Sequence, residues 1–188
     1  MSDIMKNDQR RLRIRVAVFA CIAVAAIAID QLTKAWALSA LSDGCTIRVI
    51  PGLLSFMLVR NPGASLGMGS GMTWLISLLA MAACVVLVAL AVRTISMKWT
   101  VVFAFGFAGA FGNLIDRVAY AQGFLNGKVV DFLNYGWSVG NVADVFLMFA
   151  GIAAVLLLLF GEPYSRQELD ELEGSKESNE NVNGAKTA

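Results

Sequence analysis

The sequence predicts an all-α membrane protein with four transmembrane helices and a small extracytoplasmic β element between helices 1 and 2. Its composition is 57% hydrophobic and only 15% charged, which lies far outside the profile of an ordinary soluble domain. Four apolar runs also approach the roughly 20 residues that a helix needs to cross the hydrocarbon core of a bilayer. These runs cover residues 14–29, 73–92, 100–115 and 142–160.

The first and third runs are slightly short for a span. The first can extend past Asp30 to Trp36, and the third begins near Trp99, whose ring suits the headgroup region that aromatic residues favour. Within the third run, glycines and alanines recur at three- and four-residue spacing. Small residues at that spacing let helices approach closely in lipid, so we expect these positions to serve packing.

The distribution of basic residues predicts the orientation of the chain. Cytoplasmic flanks of membrane helices carry the excess of Lys and Arg. Five basic residues crowd the entry to the first run and two occupy the turn between the second and third. They are Lys6, Arg10, Arg11, Arg13 and Arg15, then Arg93 and Lys98. Both termini are therefore expected on the cytoplasmic side, and segments 31–72 and 116–141 on the other side.

Segment 31–72 contains the β element. Residues 46–50 and 53–59 favour strands and are separated by the turn signal Pro51-Gly52, and residues 129–133 offer a third short extended run. We expect a small sheet that rests on the membrane surface and guides an embedded substrate towards the helix ends. A packed cap is the alternative.

We divide the chain into a membrane-embedded domain, residues 1–164, and an acidic and polar cytoplasmic tail, residues 165–188, whose composition predicts disorder. The first run also resembles a signal peptide, with a loose lipidation signal at residues 18–21. Because the apolar stretch continues well past Cys21, we predict a retained helix. The three cysteines, two in spans and one in a loop, indicate neither a disulfide framework nor a CxxC metal site.

The chemistry rests on carboxylates. The chain has no histidine, which removes Ser-His and Cys-His catalysis and makes a conventional zinc enzyme improbable. Asp131 and Asp144 stand thirteen residues apart where a loop returns to the fourth apolar run. Acids at a bilayer boundary are costly unless they pair, bind or react, and two adjacent acids can share one proton. We therefore place the functional site at this pair.

Three further pairs of polar residues have the spacing that brings side chains to one face of a helix. They are Asp30 and Lys34, Asn113 and Arg117, and Asn141 and Asp144. In the predicted topology all three pairs fall at the outer ends of the helices. The topology, which was derived from basic residues alone, therefore gathers these polar groups at one depth.

Five short motifs occur in a fixed order along the chain. They are Asp30-Gln31-Leu32-Thr33-Lys34, Asn61-Pro62-Gly63-Ala64, Gly109 to Arg117, Val130-Asp131-Phe132 and Asn141-Val142-Ala143-Asp144. In these motifs the sequence resembles the lipoprotein signal peptidases, also called signal peptidase II, which are bacterial intramembrane aspartyl proteases. The resemblance implies a bacterial plasma membrane protein with its active site near the extracytoplasmic face. It further implies removal of the signal peptide from prolipoproteins, with cleavage just before a cysteine that carries a diacylglyceryl group.

The resemblance also implies roles for particular residues. The catalytic dyad falls on Asp131 and Asp144, and Asp116 supports the site although it borders Arg117. The other positions that it assigns to support or substrate binding are Asp30, Lys34, Asn61, Gly63, Asn113, Arg117 and Asn141. The reaction requires neither metal nor organic cofactor, the expected partners are the prolipoprotein and membrane lipids without nucleic acid, and we expect a monomer.

Two readings from other classes compete with a peptidase. In a small transporter or channel, Asp30, Asp131 and Asp144 would bind a cation or relay protons, but the acids gather at one face and no broken helix marks a midplane site. In a membrane scaffold, the acids would be ion-pair partners of Lys34 and Arg117, and Asp-to-Asn changes would be tolerated.

Overall fold

The computed structural model of the protein describes residues 2–42, 44–63, 70–171 and 174. Within these residues the chain forms four long helices and four strands, with a short 3-10 turn at Ser70–Met72 before the second helix and a short helical segment at residues 166–171. The helices are α1 (Ser2–Ala40), α2 (Thr73–Arg93), α3 (Met97–Ala119) and α4 (Val142–Leu159). The strands are β1 (Thr46–Ile50), β2 (Leu54–Asn61), β3 (Val129–Asn134) and β4 (Val139–Gly140). Residue Ala64 of the second motif and the end of the tail lie outside the described residues.

Within the described part of the chain, four helices are long and apolar enough to cross a membrane, as the apolar runs predicted. The helix α1 is much longer than its run, with 39 residues and a length of about 58 Å at 1.5 Å per residue. Its basic and polar residues before position 14 continue the helix because Lys, Arg and Gln are good helix formers.

The helix α3 lies at the centre and packs against the other three helices. Its glycines permit this contact. A Cβ atom added to Gly109 would lie 2.5 Å from the Ala143 carbonyl oxygen on α4, and one added to Gly112 would lie 2.6 Å from Asp30 Oδ2 on α1. The small residues of the third run therefore serve close helix packing, as predicted.

The strands form one antiparallel sheet in the order β1-β2-β3-β4. The predicted β element between helices 1 and 2 supplies only β1 and β2, so the fold class stated above was incomplete. The strands β3 and β4 come from the connection between α3 and α4 and continue the sheet, because the second edge of β2 would otherwise leave its backbone groups unpaired.

The sheet packs on the end of α1. Phe132 of β3 lies in a buried cluster with Ala37 and Leu41, and Phe56 of β2 meets the ring of Trp36 edge to face. We call this end of the helix bundle the sheet end.

At the opposite end, the turn between α2 and α3 carries Ser96, whose side chain caps α3 by accepting a hydrogen bond from the Trp99 amide. The chain after α4 returns to this turn, where Glu162 pairs with Lys98. Residues 166–171 are helical, and the boundary between domain and tail at residue 164 stays a prediction.

Candidate active site

Asp131 projects from β3 and is 2% exposed. In the sheet register, Val59 pairs with Asp131 and Asn61 with Val129, so Asn61 and Asp131 share one face of the sheet. The Asn61 amide donates a hydrogen bond of 2.8 Å to Asp131 Oδ2. The Asn141 amide donates one of 2.6 Å to Asp131 Oδ1, so both carboxyl oxygens accept a hydrogen bond from an asparagine.

Asp144 lies in the first turn of α4 and forms a capping box with Asn141. Its Oδ2 accepts a 3.0 Å hydrogen bond from the Asn141 backbone amide, and the Asn141 side-chain oxygen accepts one of 3.1 Å from the Asp144 amide. This reciprocal pair satisfies two helix N-terminal donors. The Asn113 amide of α3 donates to the other Asp144 oxygen at 2.9 Å.

A single side chain links the two acids. The Nδ2 of Asn141 donates both to Asp131 Oδ1 and to Asn113 Oδ1, at 2.6 and 3.0 Å, while Asn113 holds Asp144. Among the described residues neither Asp131 nor Asp144 forms an ion pair within 4 Å. The two acids are therefore held by neutral amides.

Burial raises the pKa of Asp131 from its ordinary value of 3.8 to about 6, and the negative charge of Asp144 adds to the rise. The hydrogen bonds from Asn61 and Asn141 act in the opposite direction because they favour the ionised carboxylate. Asp131 is thus poised to exchange a proton near neutral pH, which is the range that acid-base catalysis needs.

A second polar cluster surrounds Lys34, whose side chain is buried. Its ammonium group lies 2.9 Å from Asp30 Oδ2 and 3.0 Å from Asp116 Oδ2, and donates a 3.0 Å hydrogen bond to Asn113 Oδ1. The predicted pair of Asp30 and Lys34 is confirmed, with Asp116 as a second partner. Two carboxylates around one cation compensate the cost of burying these charges.

This cluster positions the two candidate catalytic acids. The second oxygen of Asp30 accepts a 2.9 Å hydrogen bond from the Ala143 amide, one residue before Asp144. Asp116 Oδ2 accepts a 3.0 Å hydrogen bond from the Val130 amide, one residue before Asp131. The cluster thus fixes the backbone of α4 and of β3 next to both acids.

The Arg117 side chain contacts the backbone of both Gly63 and Asn113. The Arg117 guanidinium donates to the Gly63 carbonyl at 2.8 Å and to the Asn113 carbonyl at 3.3 Å. Its Nε is buried and has no hydrogen-bond partner in the described part of the chain. The Gly63 amide donates to Asn61 Oδ1 at 2.9 Å, so that Arg117 and Asn61 support the same turn.

The two acids line a cavity of about 900 Å³ between the sheet and helices α2, α3 and α4. Its polar wall is formed by the two acids with Asn61, Gly63, Asn113 and Arg117. Its opposite wall is apolar, with Ile76, Leu79, Ala83, Leu147 and Met148. Among the described residues no group of three His, Cys, Asp or Glu side chains could hold a metal ion.

The structure brings all ten predicted residues to the sheet end, in two clusters joined by Asn113. One residue with a clear part in the network was given no role from sequence. The Gln31 amide donates to Asp30 Oδ2, to the Gly112 carbonyl and to Asp116 Oδ1, at 3.1, 3.1 and 3.3 Å. Its place in the first motif could have indicated a role. Adjacent positions on a helix point in different directions, however, so the spacing that paired Asp30 with Lys34 did not include Gln31.

Comparison with known proteins identifies the family. Residues 22–160 match the model of the family described as signal peptidase (SPase) II. The chain belongs to the signal peptidase II family. It is therefore a member of a family of peptidases. Since four helices of the described residues are apolar and long enough to cross a membrane, it is a multi-pass bacterial membrane protein.

Individual relatives agree with this assignment. The chain is 80% identical over 187 residues to the lipoprotein signal peptidase of Bifidobacterium adolescentis, covering 98% of this chain and 100% of the relative. It is 39% identical over 153 residues to the lipoprotein signal peptidase of Mycobacterium avium, covering 81% and 82%.

Two solved structures of bacterial membrane enzymes share the fold. One has a TM-score of 0.69 at 30% identity and covers 77% of this chain and 88% of its own. The other has a TM-score of 0.66 at 31% identity and covers 77% and 94%. In the part of the chain that the structure describes, the architecture is four apolar helices with a small antiparallel sheet.

Proposed function

We propose that the protein is a membrane aspartyl endopeptidase that removes the signal peptide from diacylglyceryl-modified prolipoproteins, cutting just before the lipidated cysteine. The observation that carries the proposal is the pair of Asp131 and Asp144. Both acids line one cavity, are held by neutral amides and lack an ion-pair partner within the described residues. Membership of the signal peptidase II family and relatives named lipoprotein signal peptidases support the substrate class.

The reaction uses one proton shared by the pair. Two like charges in a poorly hydrated site do not both ionise cheaply, so one acid stays protonated while the other is ionised. The ionised acid takes a proton from water, which attacks the scissile carbonyl, while the protonated acid donates its proton to the carbonyl oxygen. When the tetrahedral intermediate collapses, the acid that took the proton from water gives it to the leaving amine. The other acid takes a proton from a hydroxyl of the intermediate, so the pair returns to its starting state.

The asparagines and Arg117 position the peptide. An extended peptide that enters a membrane cavity brings unpaired amide groups, each of which costs several kcal/mol unless it finds a partner. The cavity offers such partners in Asn61, Asn113 and the guanidinium of Arg117. The free Nε of Arg117 adds a buried donor that the described protein groups leave unused.

The Lys34 cluster supports the site without taking part in the proton transfer. Asp116 is neutralised by Lys34 and engaged by the Val130 amide, so its carboxylate is unsuited to act as a general base. Asp30 is similarly engaged by Lys34 and the Ala143 amide. This arrangement favours Asp131 and Asp144 over Asp116 as the catalytic pair.

The apolar wall of the cavity suits a lipidated substrate. Ile76 and Leu79 of α2 line it together with Leu147 and Met148 of α4. Apolar side chains between membrane helices offer acyl chains and a hydrophobic signal peptide a path from the bilayer to the dyad without exposure to water.

We place the sheet end at the extracytoplasmic face of a bacterial plasma membrane and both termini in the cytoplasm. The basic residues before the first span and in the turn between α2 and α3 support this orientation. The proposed enzyme acts as a monomer on prolipoprotein and membrane lipids, without metal, organic cofactor or nucleic acid.

The geometry disfavours the two competing classes. A transporter would need polar groups along a path, whereas the buried acids Asp30, Asp116 and Asp131 gather at the sheet end. A scaffold would use Asp131 and Asp144 as partners of Lys34 and Arg117. Within the described chain, Lys34 instead pairs with Asp30 and Asp116, and Arg117 donates to backbone carbonyls.

The test is cleavage of a prolipoprotein with and without its diacylglyceryl group, by the purified protein in liposomes. We expect a single cut before the lipidated cysteine, located by mass spectrometry, and little cleavage of the unmodified substrate. Equal cleavage of both forms would contradict the proposed substrate. No cleavage of either form would favour the transporter and scaffold readings.

A further inference from the structure

We propose that Tyr135 is a further substrate-binding residue, whose hydroxyl donates a hydrogen bond to a carbonyl oxygen of the substrate in the cavity that holds Asp131 and Asp144. The inference deepens the proposed peptidase function and rests on it. The group that accepts this hydrogen bond is either a peptide carbonyl near the scissile bond or an ester carbonyl of the diacylglyceryl group.

Tyr135 lies in the hairpin turn between β3 and β4, which is fixed by its own hydrogen bonds. The Tyr135 amide donates to the Ser138 carbonyl at 2.9 Å, and the Gly136 amide donates to Asn134 Oδ1 at 2.9 Å. Gly136 has a φ of +87°, which favours glycine. The turn therefore presents Tyr135 from a defined backbone.

The ring of Tyr135 is also supported from one side. It stacks on Trp137 with ring centroids 6.3 Å apart and an interplanar angle of 29°. Trp137 is 76% exposed and borders a second, smaller cavity as well as the main one. Tyr135 lines the main cavity, so the stacked pair forms part of its rim with the tyrosine on the inner side.

The described residues provide the Tyr135 hydroxyl with no hydrogen-bond partner, although the side chain is only partly exposed. Burial raises the pKa of Tyr135, and the negative charges of Asp144 and Asp131 raise it further. The group therefore stays protonated, and it lines the same cavity as Asp131 and Asp144.

A carbonyl oxygen is the chemistry that fits this donor. The acids themselves are already engaged by Asn61, Asn113 and Asn141. A peptide or acyl ester that fills the cavity brings acceptors in place of water, and a hydrogen bond from a rigid phenol costs little ordering entropy.

The experiment compares Tyr135→Phe with the parent on a synthetic diacylglyceryl prolipoprotein peptide in liposomes. This change removes only the hydroxyl and keeps the stacking on Trp137. We expect kcat/KM to fall by about threefold to tenfold, the effect of one hydrogen bond, with an unchanged unfolding temperature. The matched control is Tyr120→Phe. The Tyr120 ring packs under the Arg60 guanidinium, and Tyr120 is not among the lining residues of either cavity. The kcat/KM of this variant should match that of the parent.

A second substrate with ether-linked chains lacks the ester carbonyls and identifies the acceptor. If the loss in Tyr135→Phe persists with the ether substrate, the acceptor is a peptide carbonyl. If the ether substrate lowers the kcat/KM of the parent by the factor that Tyr135→Phe causes on the ester substrate, and does not lower the kcat/KM of the variant further, the acceptor is an ester carbonyl. Equal kcat/KM for parent and Tyr135→Phe on both substrates would overturn the proposal. A parent that cleaves neither substrate would overturn the proposed function itself.

Discussion

Individual residues at the sheet end fall into two groups with different tasks. Asp131 and Asp144 are held by neutral amides in a cavity. Asp30 and Asp116 are held by Lys34 and by backbone amides. The first arrangement leaves a pair of acids free to exchange protons, whereas the second fixes the chain on either side of them.

In the proposed mechanism, the pH dependence of cleavage follows from the proton that Asp131 and Asp144 share. The charge of Asp144 contributes to the raised pKa of Asp131, about 6, so the last proton of the pair leaves near that pH. Because kcat/KM reports the free enzyme, we expect it to fall by about tenfold per pH unit well above pH 6. The measurement is kcat/KM between pH 4.5 and 8.5 in detergent.

Stability provides the control for this pH profile. The folded state holds the Asp131 proton more tightly than the unfolded state, so stability falls as pH rises from about 4 to about 6 and the loss is complete above the folded pKa. The unfolding temperature should therefore change little between pH 7 and 8.5, where activity is still falling. A kcat/KM that rises through pH 6 to a plateau would contradict the assignment of the shared proton.

Loss of the Lys34 charge should destabilise the protein strongly. The change Lys34→Met leaves Asp30 and Asp116 buried without their cation, which costs about 3–5 kcal/mol for a buried pair. The matched control is Lys98→Met, because Lys98 pairs with Glu162 at 2.6 Å but is 67% exposed, and exposed pairs contribute little. The measurement is thermal unfolding in detergent, and similar shifts for both variants would show that the Lys34 cluster is not structurally important.

Sequence reasoning predicted the local part of this network and missed the tertiary part. The spacing of Asp30 and Lys34, and of Asn141 and Asp144, is set by the helix repeat, so both contacts could be read from the chain. The bridges from Lys34 and Gln31 to Asp116 join α1 to α3, and no local periodicity reports them. Tyr135 was missed for the same reason, since its place depends on a turn.

Secondary structure elements position the site by close approach. The contact of α3 with α4 brings Asn113 to Asp144, and it depends on Gly109, where a Cβ atom would lie 2.5 Å from the Ala143 carbonyl oxygen. The contact of α3 with α1 brings Asp116 to Lys34. The sheet then brings Asp131 to Asn141 at the start of α4.

Two alanine substitutions on α3 should therefore differ. Gly109→Ala forces α4 away from α3, and we expect cleavage to fall by at least about tenfold, with overpacking costs of about 1–3 kcal/mol. Gly106→Ala meets its nearest neighbours at 3.6 Å, an ordinary contact, and should match the parent. Both changes remove a helix glycine, so the gain in helix propensity is the same. Equal activity of both variants would contradict the importance of the α3–α4 contact.

The membrane helices could be predicted from the sequence because each one contains an apolar run. The sheet could be predicted only in part. The strands β1 and β2 contain residues that favour strands and are separated by a clear turn signal at Pro51-Gly52. The strand β4 has two residues, which is too short for a pattern, and its pairing with β3 is fixed only by the fold. The long α1 exceeded its apolar run because helix formation continues through polar residues.

For the molecule as a whole, we propose an orientation in which the sheet end lies outside the cytoplasm. The native Cys45 offers a direct test, since it is exposed at that end. We expect a membrane-impermeant maleimide to label Cys45 in intact spheroplasts. In the double variant Cys45→Ser, Lys98→Cys, position 98 at the opposite end should be labelled only after permeabilisation. The single variant Cys45→Ser gives the background. Labelling of position 98 in intact spheroplasts, with Cys45 protected, would reverse the proposed orientation.

The measurement that tests the central claim most directly is cleavage of a diacylglyceryl prolipoprotein by Asp131→Asn and Asp144→Asn, with Asp170→Asn as the matched control at an exposed acid. All variants are first shown to fold and to bind substrate. We expect both dyad variants to lose at least about a hundredfold in kcat, while Asp170→Asn cleaves like the parent. Cleavage at the parent rate by either folded dyad variant would contradict the assignment of Asp131 and Asp144 as the catalytic pair.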